Sequence, residues 1–380
     1  MGKEIKMSKL YFVKLKPMGK FFFGGDMRFG VNGKEEEFSS YIIESSMMPQ
    51  QTSLLGMMRF LLLSNDENLF DVKENVIKSG KMKAVSEKIG ERSFSVNPDG
   101  AMNSFGDILS LGPCCLYGNN ECYYRASADD AFSSFGWTGV KAMINGKEVE
   151  IPELKIMKDN KEELYTGKAE LSACFKSFTT GKVEKEEEWD ENGKAIGLFI
   201  KDSRIGIDKD YDGKSKTKAF YKQISYRLKD GFCFAFEVEV NDGIKLEEFN
   251  GQIVRLGADA SSFVFEAEEM LPSLKKNKEG LSVVLLSDAY ISKEDMEKAN
   301  IRFSINQMRP FRFLKTENQE DASYYRINGK KTATCTERYE LYQAGSVFYF
   351  KDDADRNAFV KVLESREDFN QIGYNKFYIK

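Results

Sequence analysis

MPQQTSLLGMMRFLLLSN, the stretch from Met48 to Asn65, decides how the chain around it folds. Pro49 disfavours a helix that enters from upstream, while Thr52 and Ser53 are residue types that commonly cap a helix N-terminus. Eight apolar residues follow between Leu54 and Leu63 and leave almost no polar face. This pattern predicts a helix that is buried nearly all round.

Two residues interrupt the apolar pattern of this helix. Gly56 costs about 1 kcal/mol relative to alanine in a helix interior, so we expect another backbone to approach closely there. Arg59 carries the only charge in the apolar run and requires a carboxylate, a carbonyl or a bound phosphate as partner. The residues alone leave open whether Arg59 is a buried structural cation or a ligand for nucleic acid.

The composition describes a soluble globular protein. The 380 residues have room for two domains, and 41% of them are hydrophobic and 31% charged. Neither a membrane-spanning run nor the apolar core of a signal peptide is present, which predicts a cytoplasmic protein. The chain contains no histidine and no pair of cysteines at metal-binding spacing, so we expect no metal, no cofactor and no imidazole-based catalysis.

The hydrophobic pattern predicts an α+β fold with two similar halves. The first half has a strand at 10–15, the helix at its centre, strands at 203–207, 220–227 and 232–240, a helical turn at 246–249 and a strand run at 253–265. The second has a strand at 281–286, a helix at 293–300, two strands within 332–350, a helix at 353–366 and a strand at 372–379. Strand, helix, two strands, helix, strand is the ferredoxin-like (βαββαβ) order. We therefore predict two ferredoxin-like domains, 1–270 and 271–380, with a long insertion at about 73–200 in the first.

Positive charge and aromatic residues are concentrated in two stretches, although the net charge is −4. Lys201 to Lys229 carries nine Lys or Arg against four acids, and Arg302 to Lys315 alternates cations, Arg309 and Arg312 among them, with phenylalanines. Cations neutralise phosphates while ring faces stack on unpaired bases, so these stretches are candidates for binding single-stranded RNA. The alternative is an exposed strand surface with ordinary solvating charge.

Asp26 offers a different chemistry. It lies beside Gly24 and Gly25 in FFFGGDMRFG and could serve as a carboxylate for RNA cleavage, or simply as a turn residue.

Five segments in order resemble the RAMP superfamily of CRISPR effector proteins, and within it the family of third subunits of type III-B (Cmr) complexes. The segments are FFFGGDMRFG, MMPQQTSLLGMMRFLL, RIGI followed by TKAFYKQISYRL, IVRLGADASSFVF and AGSVFYF. The resemblance implies a non-catalytic subunit that caps the 5′ handle of the crRNA. It also implies two protein partners, the large polymerase-like subunit and a backbone RAMP subunit, which this subunit bridges in antiviral defence.

The resemblance also implies candidate RNA-binding residues, transferred motif by motif. They are Gly24, Gly25 and Arg28 after the first strand, Thr52, Ser53 and Arg59 on the helix, Arg204, Thr217 and Tyr221 on the hairpin, Arg255 and Gly257 at one glycine loop, and Gly373 at a second. Two alternatives remain open on the sequence: the equivalent 5′-handle subunit of a type III-A complex, and a RAMP RNA endonuclease that uses Asp26.

Overall fold

The computed structural model describes residues 8–25, 27–29, 41–91, 94–96, 103–144, 146–168, 170–209, 215–257, 259–270, 279–312, 314–316, 333–335 and 338–380. No helix within these ranges combines the length and hydropathy that a membrane span requires.

The described elements are mostly strands. Those of the first half of the chain are β1 (Ser8–Pro17), β2 (Met27–Phe29), β3 (Tyr41–Glu44), β4 (Phe70–Asp71), β5 (Val76–Ile77), β6 (Ile108–Leu111), β7 (Cys115–Gly118), β8 (Glu121–Arg125), β9 (Ser134–Ile144), β10 (Lys147–Lys158), β11 (Lys161–Leu164), β12 (Cys174–Ser177) and β13 (Val183–Lys185). Those of the second half are β14 (Phe199–Lys209), β15 (Ser215–Leu228), β16 (Cys233–Asn241), β17 (Ile253–Leu256), β18 (Ser261–Glu269), β19 (Ser282–Leu285), β20 (Phe303–Ile305), β21 (Met308–Phe311), β22 (Leu314–Thr316), β23 (Ala333–Cys335), β24 (Tyr339–Tyr342), β25 (Val347–Tyr349) and β26 (Phe377–Ile379).

Helices are few and short. They are α1 (Gln51–Ser64), α2 (Met82–Ile89), α3 (Lys293–Lys298), α4 (Asp353–Ser365) and α5 (Glu367–Gln371), with 3-10 turns at Ala128–Ala131 and Leu246–Phe249. The fold is therefore α+β and rich in sheet, as the sequence predicts at this level.

A nine-stranded sheet organises the larger part of the chain, with β1 between β16 and β18 and antiparallel to both. Tyr11, Val13 and Leu15 of β1 are fully buried on one face, because alternate side chains of a strand point to the same side. Lys14 and Lys16 point to the other face and pair with glutamates of β18. The alternation of β1 thus separates the core of this sheet from its charged side.

Two sheets share one strand order. In the large sheet β6 pairs with β16, β16 with β1 and β1 with β18, while the C-terminal sheet has the order β20-β25-β19-β26, and every one of these pairs is antiparallel. Strand β1 thus lies between β16 and β18, and β19 lies between β25 and β26.

The range 73–200 is largely built into the fold. Strands β6, β7, β8, β12 and β13 belong to the nine-stranded sheet, whereas β9, β10 and β11 form a separate three-stranded sheet. Sequence periodicity missed this because these strands, apart from β9 and β10, are five residues or shorter.

Helix α1 confirms the predicted burial but corrects two details. Gln50, not Thr52 or Ser53, is the N-cap residue, and its side chain makes no capping hydrogen bond. Gly56 is exposed, so the predicted close approach of a backbone within the chain is wrong. The last strand, β26, is also shorter than predicted, because Gly373 and Asn375 take positive φ angles of 90° and 56° that a strand does not accommodate.

The C-terminal sheet is covered on both faces. Phe359 and Leu363 of α4 pack on one face, while Ala128 packs on the other and the ring of Phe135 stacks on Tyr349 with a centroid distance of 4.2 Å. Asp129 stabilises the contact on the face covered by Ala128 and Phe135. Its carboxylate accepts hydrogen bonds from Lys380, Ser127 and Tyr349. Burial disfavours the charged carboxylate, but these hydrogen bonds outweigh it and hold the pKa of Asp129 below its usual range.

We expect Asp129→Asn to lower the free energy of unfolding by about 2 kcal/mol at pH 7. Since the folded-state pKa is depressed, the stabilisation is present above about pH 4 and is lost as the pH falls through the folded-state pKa. Urea unfolding of both proteins between pH 7 and pH 3 should therefore show the difference shrinking in acid. Glu163→Gln, which removes an exposed ion pair with Lys158, serves as control and should change stability by less than about 0.5 kcal/mol. A difference that stays constant with pH would contradict the assignment.

Candidate nucleic-acid interface

A four-stranded sheet with the order β14-β15-β3-β2 carries the candidate site. Strands β14 and β15 form a long antiparallel hairpin, and β3 runs parallel to β15. Tyr226 anchors the base of the hairpin: it is buried, bridges to Phe21 and donates a hydrogen bond to Glu44 at 2.6 Å. Burial and this carboxylate raise the pKa of Tyr226, so the hydroxyl stays protonated.

Gly206 and Tyr221 form a cross-strand pair on this hairpin. A Cβ atom at Gly206 would lie 2.2 Å from the ring of Tyr221, so the ring occupies the space above the glycine. The glycine in RIGI is thus explained by packing against an aromatic ring, which lies flat on the hairpin face.

The register assigns the charged residues of the hairpin to two faces. Arg204 lies opposite Gln223, on the face that also holds Gly206 and Tyr221. Ile205 and Lys222 pair on the opposite face, where Ile205 is 73% exposed.

The first glycine loop is held close to β3. Gly24 has a φ of 82° and its carbonyl accepts a hydrogen bond from the Ser46 N–H at 2.7 Å. A Cβ atom at Gly25 would lie 1.8 Å from the Glu44 carbonyl oxygen, so no side chain fits there. The positive φ favours glycine at position 24, and the close Glu44 carbonyl requires glycine at position 25.

The second glycine loop packs against the first. Gly257 has a φ of 90°, and its missing Cβ atom would lie 2.3 Å from the Phe22 carbonyl oxygen. The Ser261 hydroxyl accepts a hydrogen bond from the Phe22 N–H, and Asp259 accepts one from Gln223 of the hairpin. The two loops and the Arg204 face of the hairpin thus meet, and Arg255 lies on β17 immediately before the second loop.

Some cations near this meeting point form ion pairs, and others form none with any residue that the structure describes. Lys20 and Arg227 hydrogen-bond to Asp202 and hold its pKa below the usual range. Lys201 pairs with Glu44 and Glu187. Arg204, Lys222 and Arg255 are exposed and make no ion pair with any residue that the structure describes. We call the region formed by Arg204, Tyr221, Arg255 and the two glycine loops the hairpin surface.

Other predicted site residues lie at an internal junction. Ser53 donates its N–H to the Gln50 carbonyl, and Thr52 lies near the buried hydroxyl of Tyr374. Burial raises the pKa of Tyr374, whose hydroxyl also donates to Gln50 at 3.0 Å. Thr52 and Ser53 are half-buried, and Tyr374 and Gln50 lie at the N-terminus of α1.

Gly373 belongs to the same junction. It is buried, and a Cβ atom there would lie 1.9 Å from Nε2 of Gln51 and 2.5 Å from the Gly112 carbonyl oxygen. Gln51 donates to the carbonyls of Gly112 and Ile372, both at 2.8 Å, and accepts the Cys114 N–H. The structure therefore places Gly373 at a buried contact of the C-terminal segment with Gln51 and Gly112.

The remaining arginines differ in exposure. Arg59 is 5% exposed, donates to the Ser104 carbonyl at 2.7 Å and lies over the ring of Phe105, so it is a buried structural cation. Arg309 is ion-paired with Asp288, and Arg312 is exposed at the end of β21. Arg302, in the same basic stretch, pairs with Glu150 and lies over Trp137. Much of that basic stretch is thus neutralised within the chain.

Three predicted residues fall partly or wholly outside the described residues. Arg28 and Thr217 lie on β2 and β15, where the structure describes their backbone but not their side chains, and Asp26 lies outside the description altogether. No group of three or more metal-ligating side chains occurs among the residues that are described.

Sequence reasoning did not single out Gln223, which the hairpin places on the same face as Tyr221 and Arg204. The signal available was period-two alternation: side chains at 221 and 223 point to one face and the side chain at 222 points to the other.

Comparison with solved structures identifies proteins that have a similar fold. The chain is similar to a protein in the cryo-EM structure of the Type III-B Cmr-beta bound to cognate target RNA, with 12% identity, a TM-score of 0.51 and coverage of 98% of this chain and 96% of that chain. At that identity the similarity concerns the fold alone. The chain is also similar to a protein in the Type III-B Cmr-beta bound to cognate target RNA and AMPPnP, state 1, with 12% identity, a TM-score of 0.46 and coverage of 97% of this chain and 96% of that chain. For a protein in the Csm3-Csm4 subcomplex of the type III-A CRISPR-Cas interference complex, the identity is 11%, the TM-score 0.36 and the coverage 90% of this chain and 92% of that chain. A search of curated protein sequences finds no match.

The chain is thus a sheet-rich α+β protein whose fold is similar to that of a protein in the Type III-B Cmr-beta structure. The model of one family, described as CRISPR-associated protein (Cas_Cmr3), matches residues 13–380. The chain therefore belongs to the Cas_Cmr3 family of CRISPR-associated proteins.

Proposed function

We propose that this chain is a non-catalytic, RNA-binding subunit of a type III-B CRISPR (Cmr) effector complex in the cytoplasm. In this role it holds the 5′ handle of the crRNA and bridges the large polymerase-like subunit to a backbone RAMP subunit. The observation that carries the proposal is the hairpin surface, where exposed cations without ion pairs in the described part of the chain lie beside two glycine loops. Family membership supports the assignment to CRISPR defence.

We also propose that the chain consists of two ferredoxin-like units, 1–270 and 271–380. Support comes from the shared strand order, with β1 and β19 each placed between the third and the last strand of their unit. In the first unit β6 then serves as the second strand, and the 3-10 turn Leu246–Phe249 stands where the second helix belongs. The chain between β6 and β16 is on this proposal the larger part of the insertion.

The geometry favours a phosphate backbone as the ligand of the hairpin surface. Arg255 lies two residues before Gly257, and Gln223, the cross-strand neighbour of Arg204, hydrogen-bonds to Asp259 just after it. Glycine lets a backbone approach without a side chain in the way. Arginine presents a planar fork of donors that matches two phosphate oxygens, and Tyr221 offers a ring beside it. The surface can therefore position RNA without catalysing a reaction on it.

Charge reversal at Arg204 and Arg255 should release RNA. In the assembled complex we expect Arg204→Glu/Arg255→Glu to weaken crRNA retention by about 100-fold, because two phosphate contacts become repulsive. A filter-binding titration at several salt concentrations checks this, and the slope of log affinity against log salt should fall by roughly 1.5 for single-stranded RNA.

The matched control is Lys351→Glu/Lys361→Glu, which changes the net charge equally at exposed lysines in and beside α4. This control should leave both retention and slope unchanged. Equal losses in both variants would show a general charge effect and contradict the hairpin surface. Equal retention of RNA with a scrambled handle would contradict handle capping, and cleavage that Asp26→Ala abolishes would contradict a non-catalytic role.

A further inference from the structure

Two arginines stand next to each other on the hairpin formed by β21 and β24. The two strands are antiparallel, and their ladder ends at the pair of Phe311 and Tyr339. Arg312 directly follows this pair on one strand, and Arg338 directly precedes it on the other. Directly opposite residues of an antiparallel pair point to the same face, so the register assigns both guanidinium groups to one face.

Neither arginine has a partner in the part of the chain that the structure describes. Both are exposed, and neither forms an ion pair or a hydrogen bond with a described residue. Among the described residues of the two strands, the one carboxylate on this face is Glu340, which lies opposite Pro310 and is exposed without an ion pair. The described part of the face therefore carries two positive charges against one negative charge.

The register of the hairpin changes beside the two arginines. Beyond them β22 pairs with β23, with Leu314 opposite Cys335. Between that pair and the pair of Phe311 and Tyr339, one strand has two residues and the other has three, which is the count of a β-bulge. β-Bulges redirect side chains and are over-represented beside functional sites. The arginines thus border an irregular point of the hairpin.

The neighbour of each arginine is held by the core. Phe311 is 4% exposed, and its ring centroid lies 5.9 Å from that of the buried Tyr374. Tyr339 contacts the ring of Tyr290 edge to face, also with 5.9 Å between the centroids. A backbone held on both strands positions the two guanidinium groups before a ligand arrives, which reduces the conformational entropy lost on binding.

Two adjacent guanidinium groups favour an anion between them. Like charges directly opposite each other destabilise a strand pair, and arginine does not lose its charge by deprotonation in a protein. Each guanidinium presents a planar fork of N–H donors that matches the two free oxygens of a phosphate diester. We propose that Arg312 and Arg338 form a clamp for one phosphate group of the crRNA backbone, on a different sheet from the hairpin surface.

The setting favours RNA over an acidic protein segment as the source of the anion. An exposed ion pair with a protein carboxylate contributes little, because solvent and salt screen it. A contact with an RNA phosphate gains further free energy, because it releases counterions that are condensed on the nucleic acid. The proposal rests on the proposed function in taking crRNA as the ligand, and it adds a second contact to the hairpin surface.

Neutralisation of both arginines in the assembled complex tests the clamp. We expect Arg312→Gln/Arg338→Gln to weaken crRNA retention about tenfold and to reduce the slope of log affinity against log salt by roughly 0.7, the value for one phosphate of a single strand. Lys298→Gln/Lys361→Gln changes the net charge equally at exposed lysines of α3 and α4, and this control should alter neither quantity. Unchanged retention in the arginine variant would overturn the proposal.

The melting temperature of the free protein shows whether the arginines have a structural role instead. The loss of two neighbouring like charges should leave the melting temperature unchanged or raise it. A lower melting temperature in Arg312→Gln/Arg338→Gln than in the lysine control would show an internal role and overturn the proposal.

The single variants test whether the two arginines share one phosphate. Arg312→Gln and Arg338→Gln should each weaken retention about fivefold and together only about tenfold, because the loss of either arginine loosens the same contact. Losses that multiply to about 25-fold would show two independent contacts and contradict a shared phosphate.

Arg204→Glu/Arg255→Glu is measured in parallel, so that a failure of the clamp is distinguished from a failure of the proposed function. Loss of crRNA in that variant alone would overturn the clamp but support the hairpin surface. No loss in either variant would contradict both. Reduced recovery of a protein subunit with normal crRNA retention in Arg312→Gln/Arg338→Gln would identify a protein carboxylate as the ligand and overturn the clamp.

Discussion

Replacement of Gly373 by alanine is expected to lower the free energy of unfolding by about 3–5 kcal/mol. Alanine at a positive φ costs roughly 1–2 kcal/mol. The φ of Gly373 is 90°. The new Cβ atom would also lie 1.9 Å from Nε2 of Gln51 and 2.5 Å from the Gly112 carbonyl oxygen. Neither neighbour can retreat freely, because Gln51 is buried and the carbonyl is backbone.

Denaturant unfolding of the free protein measures this loss. Gly181→Ala is the matched control, because Gly181 also has a positive φ, 74°, but has no described atom within 4 Å of the added Cβ position. The control should lose only the conformational part, about 1 kcal/mol. Equal losses at the two positions would show that the junction yields to the methyl group.

Gln51→Ala should produce the second large loss, about 3 kcal/mol. The side chain is 4% exposed and hydrogen-bonds to two carbonyls and one N–H, from the backbone at Gly112, Ile372 and Cys114. Removal leaves these buried groups without their partner, and an unpaired buried group costs about 1–3 kcal/mol. Gln252→Ala, which breaks an exposed amide pair with Asn65, should cost less than about 1 kcal/mol.

The double variant Gln51→Ala/Gly373→Ala separates the two contributions. Part of the overlap at Gly373 disappears when the Gln51 amide is absent, so the combined loss should be smaller than the sum by about 1 kcal/mol or more. Strict additivity in chemical denaturation would contradict direct contact between the two positions.

Local sequence pattern predicted the elements where a single period runs uninterrupted. The alternation of β1, the apolar run of α1 and the turn at Leu246–Phe249 are all confirmed within a few residues. Strand β26 was overestimated because the positive φ angles at Gly373 and Asn375 depend on packing that no local pattern reveals.

The candidate site was predictable only in part for the same reason. The glycine loops and Arg204 could be chosen from their motifs, because loop glycines and a basic hairpin are legible in one stretch of sequence. Whether an arginine is available to bind RNA could not be predicted from a motif. Arg309 forms an ion pair with Asp288, and Arg59 donates a hydrogen bond to the Ser104 carbonyl, so each partner lies far away in the sequence.

By itself, the sequence determined the class of fold and the concentration of cations on the β14–β15 hairpin, because these depend on residues close together in the chain. Tertiary structure alone decided which of those residues remain available. Gln51 hydrogen-bonds to Ile372, 321 positions away, and that contact belongs to a junction in which Gly373 is buried. Contacts between distant segments, with the burial they impose, determine which polar groups are already satisfied and which still face solvent.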